Sequence, residues 1–575
     1  MARAAVVYLR HWRQFHDSPS RAKAFGLLRG LTYLQTATGP DAGNVVLWMQ
    51  PDGTLNPSPT PVELPDPSDS GASYWLARSI WALGEGYAAF QRADPSFARF
   101  LRGRLDLAVG ALRRQVLVHY GEHYIVNGVR TPAWLVVDGA DASAEAVLGL
   151  AAYVDAAPVG SADARASRTA LAQLARGIAE LGSGGIRQWP YGALLPSARS
   201  VSEWHAWGAQ MPSALAVAAT ALHDPSLLRP AISDAAQFTP QLLASTGPVN
   251  GLSPAPVDGS QIAYGADARV QGLIRVGQAA RAPGITRLAG IAAGWYFGQN
   301  PSGQPMYDPA TGVTYDGVSP DGTVNLNSGA ESTIHGLLSM LALDADPALA
   351  GLARSSGHVV ARNAQQVVEA EAATLTGPAR VVTADPVNTG AAQWSAGAYV
   401  EAGAGSTLTW SLPGETSGAG QPRLIEPIVD RVPGAAGRTD FSAAARPLGA
   451  VGYGGGGAQG QSAWPSTLVP VTLTVAAPAG PATLVARTHG GSGRLDALLV
   501  TPLVSTLSLG SHGASVVLLT SRSARDQSET VVLGGAGPSE VDSYDRLGRL
   551  AATSRHRGAV VHVDVRGGGF VIVTQ

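Results

Sequence analysis

Along residues 1–362 apolar side chains recur every three or four positions, and polar, Gly- and Pro-rich stretches separate the stripes. Ala24, Leu27, Leu28, Leu31 and Leu34 share one face of residues 18–35. Leu76, Ile80, Leu83, Tyr87 and Phe90 do the same over 72–93. Leu101, Leu105, Ala108, Leu112 and Val116 make a third stripe, and Val147, Leu150, Ala151 and Val154 a fourth. This spacing predicts amphipathic helices. Further stripes run over about 163–181, 202–222, 226–243, 266–280, 284–297, 329–343 and 346–362. Roughly eleven or twelve helices with no strands between them predict an all-α (α/α)6 barrel, with a helical repeat stack as the alternative. Irregular loops at about 39–71, 121–142, 183–201, 244–264 and 298–328 favour the barrel, because long loops in a compact domain are usually functional. In a barrel such loops converge over a central cleft.

After residue 362 the period changes from helical to alternating. Val367–Glu371, Leu408–Leu412, Val471–Val475 and Thr483–Arg487 are short strand-like runs between Gly/Pro/Ser/Ala stretches, which predicts a β-sandwich. Ser515–Leu519, Thr530–Leu533, Ala559–Val563 and Phe570–Val573 predict a second, smaller all-β unit. The expected division is a barrel over 1–362, a sandwich over 363–504 and a small β domain over 505–575.

Composition narrows the chemistry. The 575 residues include no cysteine, which excludes disulfides, thiolate metal sites and a cysteine nucleophile. Charged residues are 14% and the formal net charge is −2, so no global field favours nucleic acid or an anionic membrane. No apolar run reaches the roughly 18 residues of a membrane span, and the N-terminal run is too short for a signal peptide. Low charge, no cysteine and a modular layout suit a secreted or cell-surface protein. There is no phosphate-loop motif, no paired-histidine zinc motif and no Gly-x-Ser-x-Gly elbow.

Four loops carry candidate chemistry. The first holds Trp48, Asp66 and Asp69 and leads into a helix with Tyr74, Trp75 and Arg78. Carboxylates beside aromatics suit a sugar cleft: ring faces stack on pyranoses, and carboxyls bind hydroxyls or move protons. Ser68, Asp69 or Ser70 could equally cap the helix. The second holds Trp189, Tyr191, Glu203, Trp204, His205 and Trp207, with Glu203 an acid or base, or simply the start of a helix. The third runs from Trp295 to His335 and holds Tyr315, Asp316, Asn325, Asn327 and Glu331. Ser328 and Glu331 also have capping-box spacing, and Asp316-Gly can be turn chemistry. In the fourth, Asp138 faces the cleft while Asp141 or Ser143 caps a helix.

Two resemblances follow from these motifs. Gly298-Gln-Asn-Pro301 ahead of Glu331, and Asp66-Pro-Ser-Asp69 before an early helix, resemble family-9 glycoside hydrolases among the (α/α)6-toroid carbohydrate-active enzymes. That resemblance implies Glu331 as the catalytic acid and Asp69 as the base. Val368-Glu-Ala-Glu371, Ser395-Ala-Gly-Ala-Tyr-Val400 and Arg494-Leu-Asp-Ala-Leu-Leu-Val500 are similar to family-6 and family-35 carbohydrate-binding modules. It implies a structural calcium on Glu369, Glu371 and Asp496, and oxygen ligands suit a hard cation. An insertion at about 413–465 departs from the compact module.

The expectation is a glycoside hydrolase acting on a polysaccharide or oligosaccharide, with two carboxyls drawn from Asp69, Glu203, Asp316 and Glu331 and no catalytic cofactor. A polysaccharide lyase using His205, Tyr315, Arg78 or Arg187 is the alternative. A non-catalytic glycan-binding protein is a third.

Overall fold

The computed structural model describes residues 1–46, 52–53, 55, 70–158, 160–384, 393–412, 420–460, 467–511 and 513–575. Six helices form an inner ring: α1 (Ala2–Phe15), α3 (Tyr74–Ala93), α5 (Ala140–Ala156), α7 (Met211–Leu222), α10 (Ala263–Ala280) and α12 (Ala330–Asp344). Each packs on the next, and α12 closes back on α1. The outer helices are α2 (Ser18–Tyr33), α4 (Pro95–Gln115), α6 (Ala162–Glu180), α8 (Leu228–Ser233) continued by α9 (Thr239–Ser245), α11 (Pro283–Ala293) and α13 (Pro347–Ser355). Each inner helix packs on the outer helix that follows it, so six helical hairpins close an (α/α)6 barrel.

Several boundaries differ from the sequence expectation. Helix α1 precedes every stripe read from the sequence, the first of which begins at residue 18. The stripe over 202–222 is helical only from Met211, and 202–207 is extended. A π-helical turn at Asp234–Phe238 separates α8 from α9. The stripe over 346–362 splits into α13 and a strand, Val359–Asn363.

Capping separates the two layers. Asp17, Asp94, Ser161 and Asp346 accept first-turn N–H groups of the outer helices α2, α4, α6 and α13. The inner helices α5, α7, α10 and α12 start at Gly139, Gln210, Ile262 and Gly329 without side-chain caps. Their N-terminal amides and positive dipole ends meet at one barrel mouth, a setting that favours acidic side chains. Only α3 differs, with Ser73 capping Trp75. Glycines set the α3–α5 approach: a Cβ on Gly84 would lie 2.0 Å from the Gly149 carbonyl oxygen, and one on Gly149 2.2 Å from that of Ile80.

The sandwich has two sheets. One orders its strands Ala379–Thr383, Ala398–Ala402, Gly493–Pro502, Arg423–Arg431 and Thr467–Pro470, with Gln366–Glu369 also paired to Gly493–Pro502. The other runs Arg446–Gly452, Arg438–Ala443, Ala482–His489, Thr407–Leu412 and Thr374–Thr376. Trp410, Phe441 and Tyr453 are buried between them. Three of these strands lie in the expected insertion 413–465, which is therefore part of the sandwich itself. The strand expected at 471–475 is instead a crossing segment. Val471 and Leu473 donate to Pro427 and Ile425 of one sheet, and Val475 to Leu448 of the other, so no ladder forms.

The last unit is a six-stranded sheet ordered Leu550–Arg557, Pro538–Tyr544, Phe570–Thr574, Ala514–Ser521, Val504–Ser511 and Val359–Asn363. Its two final strands flank the sandwich in sequence, so the sandwich is an insertion between neighbouring strands of this sheet. One face, with Leu507, Leu518 and Ile572, joins the barrel core. The other, with Val517, Val571 and Val573, packs under the two-stranded sheet Gln527–Val532 and Val560–Val565.

Candidate active site at the N-terminal mouth of the barrel

The uncapped ends of the inner helices surround a pocket of about 420 Å³ lined by Tyr74, Trp75, Arg78, Trp207, Ile262, Tyr264 and Glu331. Trp75 is 51% exposed, although it lies on the first turn of a buried helix. Glu331 on α12 receives Arg3 Nη2 from α1 at 2.7 Å, and its side chain stays 45% exposed. Arg3 Nη1 also lies 2.8 Å from His335 Nε2. A guanidinium only donates, so Nε2 accepts and the imidazole proton sits on Nδ1. That nitrogen donates to Asp267 Oδ2 at 2.7 Å. Asp267, His335, Arg3 and Glu331 thus form one chain from the barrel interior to the pocket.

A second set lies across the pocket. Glu145 on α5 receives Arg78 Nε at 2.9 Å and the Tyr264 hydroxyl at 2.5 Å. Tyr74 donates to Asp141 Oδ2 at 2.5 Å. Burial, joined by the Asp141 and Glu145 charges, drives the Tyr74 and Tyr264 phenols far above their usual range. Burial also pushes the Asp141 carboxyl up to about 6, against the hydrogen bond from Tyr74.

The wall beside α5 is the extended stretch 202–207. Trp204 exchanges backbone hydrogen bonds with Leu252, and Ala206 donates to Val249. Side chains therefore alternate: Ser202, Trp204 and Ala206 are buried, while Glu203, His205 and Trp207 share the open face. His205 stacks on Trp207 with centroids 3.7 Å apart. Its Nδ1 lies 2.7 Å from the Trp207 carbonyl, so that nitrogen donates and Nε2 turns its lone pair toward Asp141 Oδ2 at 3.5 Å. Burial lowers the His205 pKa to about 4 and raises that of Glu203 to about 7.

Of the residues singled out in the sequence, Tyr74, Trp75, Arg78, His205, Trp207 and Glu331 gather at this mouth; Glu203, two residues before His205, is half-buried and does not line the pocket. Trp204 points the other way, edge-on to Phe238 and within cation–π reach of Arg269. Asp138 does not face the cleft; it accepts the Tyr124 hydroxyl and Arg199 Nε in a surface clasp. Trp189 donates to the Val201 carbonyl at a small pocket bordering the sandwich. Tyr315 packs with Trp295 and Met306. Asp316 accepts the N–H of Gly329, the residue just before α12, while Asn325 accepts the Asn327 N–H in an exposed loop. The Ser328–Glu331 capping box does not form, because Glu331 is drawn to Arg3 and Ser328 pairs with Thr333. Neither Asp141 nor Ser143 caps α5: Asp141 turns into the site and Ser143 accepts the Val136 N–H. Trp48, Asp66 and Asp69 lie outside the described residues.

Arg3, Asp141, Glu145, Tyr264, Asp267 and His335 were missed as site residues. One signal was present. Helix α5 is apolar nearly all round, so acids four residues apart on it, Asp141 and Glu145, had to be buried and paired.

In the sandwich, Glu369, Glu371 and Asp496 each leave one buried carboxylate oxygen without a partner. Asp496 is pushed up to about 8 by burial and then by the charges of Glu369, Glu371 and Asp430. Ser395 ties the group together, donating its N–H to Asp496 and its hydroxyl to Glu369. Among the described residues no three His, Cys, Asp or Glu side chains are drawn into a closed ligand set. The donor chemistry, three buried mutually repelling carboxylates, fits a hard cation.

No family model and no curated protein matches the sequence. Among solved structures, the chain is similar to a sugar epimerase from a ruminal bacterium at 12% identity and a TM-score of 0.42, over 59% of this chain and 86% of that one. It is similar to cellobiose 2-epimerase from Bacillus thermoamylovorans B4167 at 11% identity and a TM-score of 0.41, with the same coverage. A carbohydrate-binding module of Cellvibrio mixtus lichenase 5A, solved with cellotriose, aligns at 18% identity and a TM-score of 0.17, over 25% of this chain and 97% of that one.

Proposed function

We propose that this chain is a glycoside hydrolase whose cleft is the N-terminal mouth of the barrel. One observation carries the reading: an aromatic-walled pocket holds an exposed carboxylate in an ion pair, Glu331 with Arg3, and the segment that brings Trp207 to it also carries a half-buried carboxyl raised to about 7, Glu203. Acid and base roles need two carboxyls whose surroundings differ in this way. Trp75 and Trp207 supply stacking faces for a pyranose. Glu203 delivers its proton to the glycosidic oxygen, which leaves as the hydroxyl of the departing sugar. Glu331 supports the oxocarbenium-like centre or activates the attacking water, and the Asp267–His335–Arg3 chain fixes its position. Asp69, the base implied by the family-9 resemblance, belongs in the same mutational test. Asp316, tied to Gly329, holds the start of α12 instead.

The lyase reading needs a phenolate or imidazole base. Of the bases that reading would use, Tyr315 packs with Trp295 and Met306 while His205 stands at the mouth; Tyr74 and Tyr264, the phenols there, are driven up and donate into carboxylates. In the sandwich, Glu369, Glu371 and Asp496 would hold a calcium ion, which would neutralise three buried charges and order strand ends far from any bond broken.

The test is a panel of oligosaccharides scored both for new reducing ends and for the absorbance of an unsaturated product. Reducing ends without that absorbance, lost in Glu203→Gln and Glu331→Gln, are expected. An unsaturated product, or full activity in both variants, overturns the proposal.

A further inference from the structure

The C-terminal ends of the same six inner helices surround a second cavity, of about 990 Å³. Arg275 and Tyr264 lie on one helix, about 16 Å apart along its axis, so this cavity is separate from the cleft. Three guanidiniums line it: Arg10, Arg13 and Arg275. The acid beside them, Glu85, is already satisfied. Its oxygens take Arg10 Nη2 at 2.7 Å, Arg10 Nε at 3.2 Å and Trp81 Nε1 at 2.8 Å. The other acids on the lining serve elsewhere or sit at the rim. Asp346 caps α13, and Asp155 is exposed.

Arg275 is left over. Among the described residues it has no hydrogen-bond partner and no ion pair, and it reaches no helix-end carbonyl, the ordinary role of a cation at this end of a helix. Its surroundings are hostile to charge: burial first, then Arg10 and Arg13, lower its pKa to about 10, against a partial opposing effect of Glu85. A half-buried guanidinium with free donors facing a cavity is placed to take a counter-anion, and its planar fork matches oxygens set on one centre.

We propose that this second mouth binds a tetrahedral oxyanion, a phosphate or sulfate group, with Arg275 as its principal ligand and Arg13 at the entrance. The pairing of Arg10 with Glu85 leaves Arg275 and Arg13 as the cations of the lining without an acid of their own, while Asp155 is exposed and Asp346 caps α13. The site does not depend on the reaction at the other mouth.

The experiment is calorimetric titration of the full chain with inorganic phosphate and, separately, inorganic sulfate, at constant ionic strength in chloride. Saturable binding of one or both is expected, and which one binds tells a phosphoryl from a sulfo source. Arg275→Gln should weaken it at least tenfold, Arg275→Lys less, and Arg13→Gln by a few-fold. Turnover in the cleft should be unchanged in Arg275→Gln, which separates this site from the proposed hydrolase. No saturable binding of either anion to the wild-type chain up to the millimolar range overturns the proposal. So does undiminished binding in a folded Arg275→Gln variant. If that variant does not fold, undiminished binding in both Arg275→Lys and Arg13→Gln overturns it as well.

Discussion

Glu203 has no charged partner among the causes of its shift; burial alone moves it. Its proton is therefore present at mildly acid and neutral pH and is lost as pH rises through about 7. Turnover should fall along that alkaline limb. Glu203→Gln should lower turnover by roughly 10²–10⁴-fold, the usual range for a general acid, and remove the limb. Stability carries the same signature with a definite sign. Glu203 and Asp141 have folded pKa values near 7 and 6, above their usual 4.5 and 3.8. Between those limits the native state binds more protons than the unfolded chain, so stability falls as pH rises across the window. Urea midpoints at pH 5 and pH 8 should differ less in Asp141→Asn than in the wild type. His205 contributes the opposite slope at lower pH, because its depressed pKa favours folding as pH rises from about 4 to 6.5.

At the scale of elements, the α3–α5 crossing decides where the mouth residues meet. Gly84 and Gly149 let the two backbones touch, and the Arg78–Glu145 pair sits on the turns just above that contact. Gly149→Ala forces the helices apart. Overpacking of this kind costs about 1–3 kcal/mol, and a chemical denaturation midpoint should register it. Turnover should fall as well, since Arg78 and Glu145 separate with the helices. In the sandwich, Asp496, folded near 8, and Glu369, also raised, bind protons more tightly when folded. Without a cation, the sandwich loses stability as pH rises from about 4 to 8. Added calcium should raise the melting temperature at pH 8, and a chelator should reverse it. Asp496→Asn should melt higher than the wild type in chelator and show no calcium response.

At the scale of the whole molecule, the three units meet on one buried ion pair. Arg522, just after a strand of the C-terminal sheet, pairs with Glu426 of the sandwich, and both side chains are almost fully buried. Tyr191, from a barrel loop, donates to Glu426 at 3.0 Å, and Arg522 Nε donates to the Ile186 carbonyl at 2.8 Å. Removing one partner strands a buried charge, a loss of about 3–5 kcal/mol. Arg522→Ala should lower the calorimetric melting temperature or split the transition, and Arg522→Met with Glu426→Leu should recover much of it. The sequence hides this junction, because its members come from residues 186–191, 426 and 522, and although Tyr191 stands out in its loop nothing local relates it to the other two.

The local pattern alone determined the secondary structure wherever an element buries one face. The stripe from Leu76 to Phe90 became α3, because a 3.6 period gives an apolar face one way to be covered, and the continuous apolar run from Val516 to Leu519 became a central strand buried on both faces. It also marked Tyr74, Trp75, Arg78 and Glu331, whose residue types sit uneasily at the start of buried helices, and Trp207 in the loop before another. Tertiary structure decided the rest. Helix α1 carries a legible apolar face, Ala5, Val6 and Leu9, but only the closed ring shows that its Arg3 and Arg10 find their acids on α12 and α3. Trp204 and Glu203 are neighbours in sequence but fall on opposite sides of a wall, and only pairing with residues 249–252 sets that alternation. Sequence carries the short-range periodicities that burial selects. The barrel mouth, the carboxylate cluster and the arginine-lined cavity are made by closing a ring of six helices or two sheets, and that closure brings together residues that no local period relates.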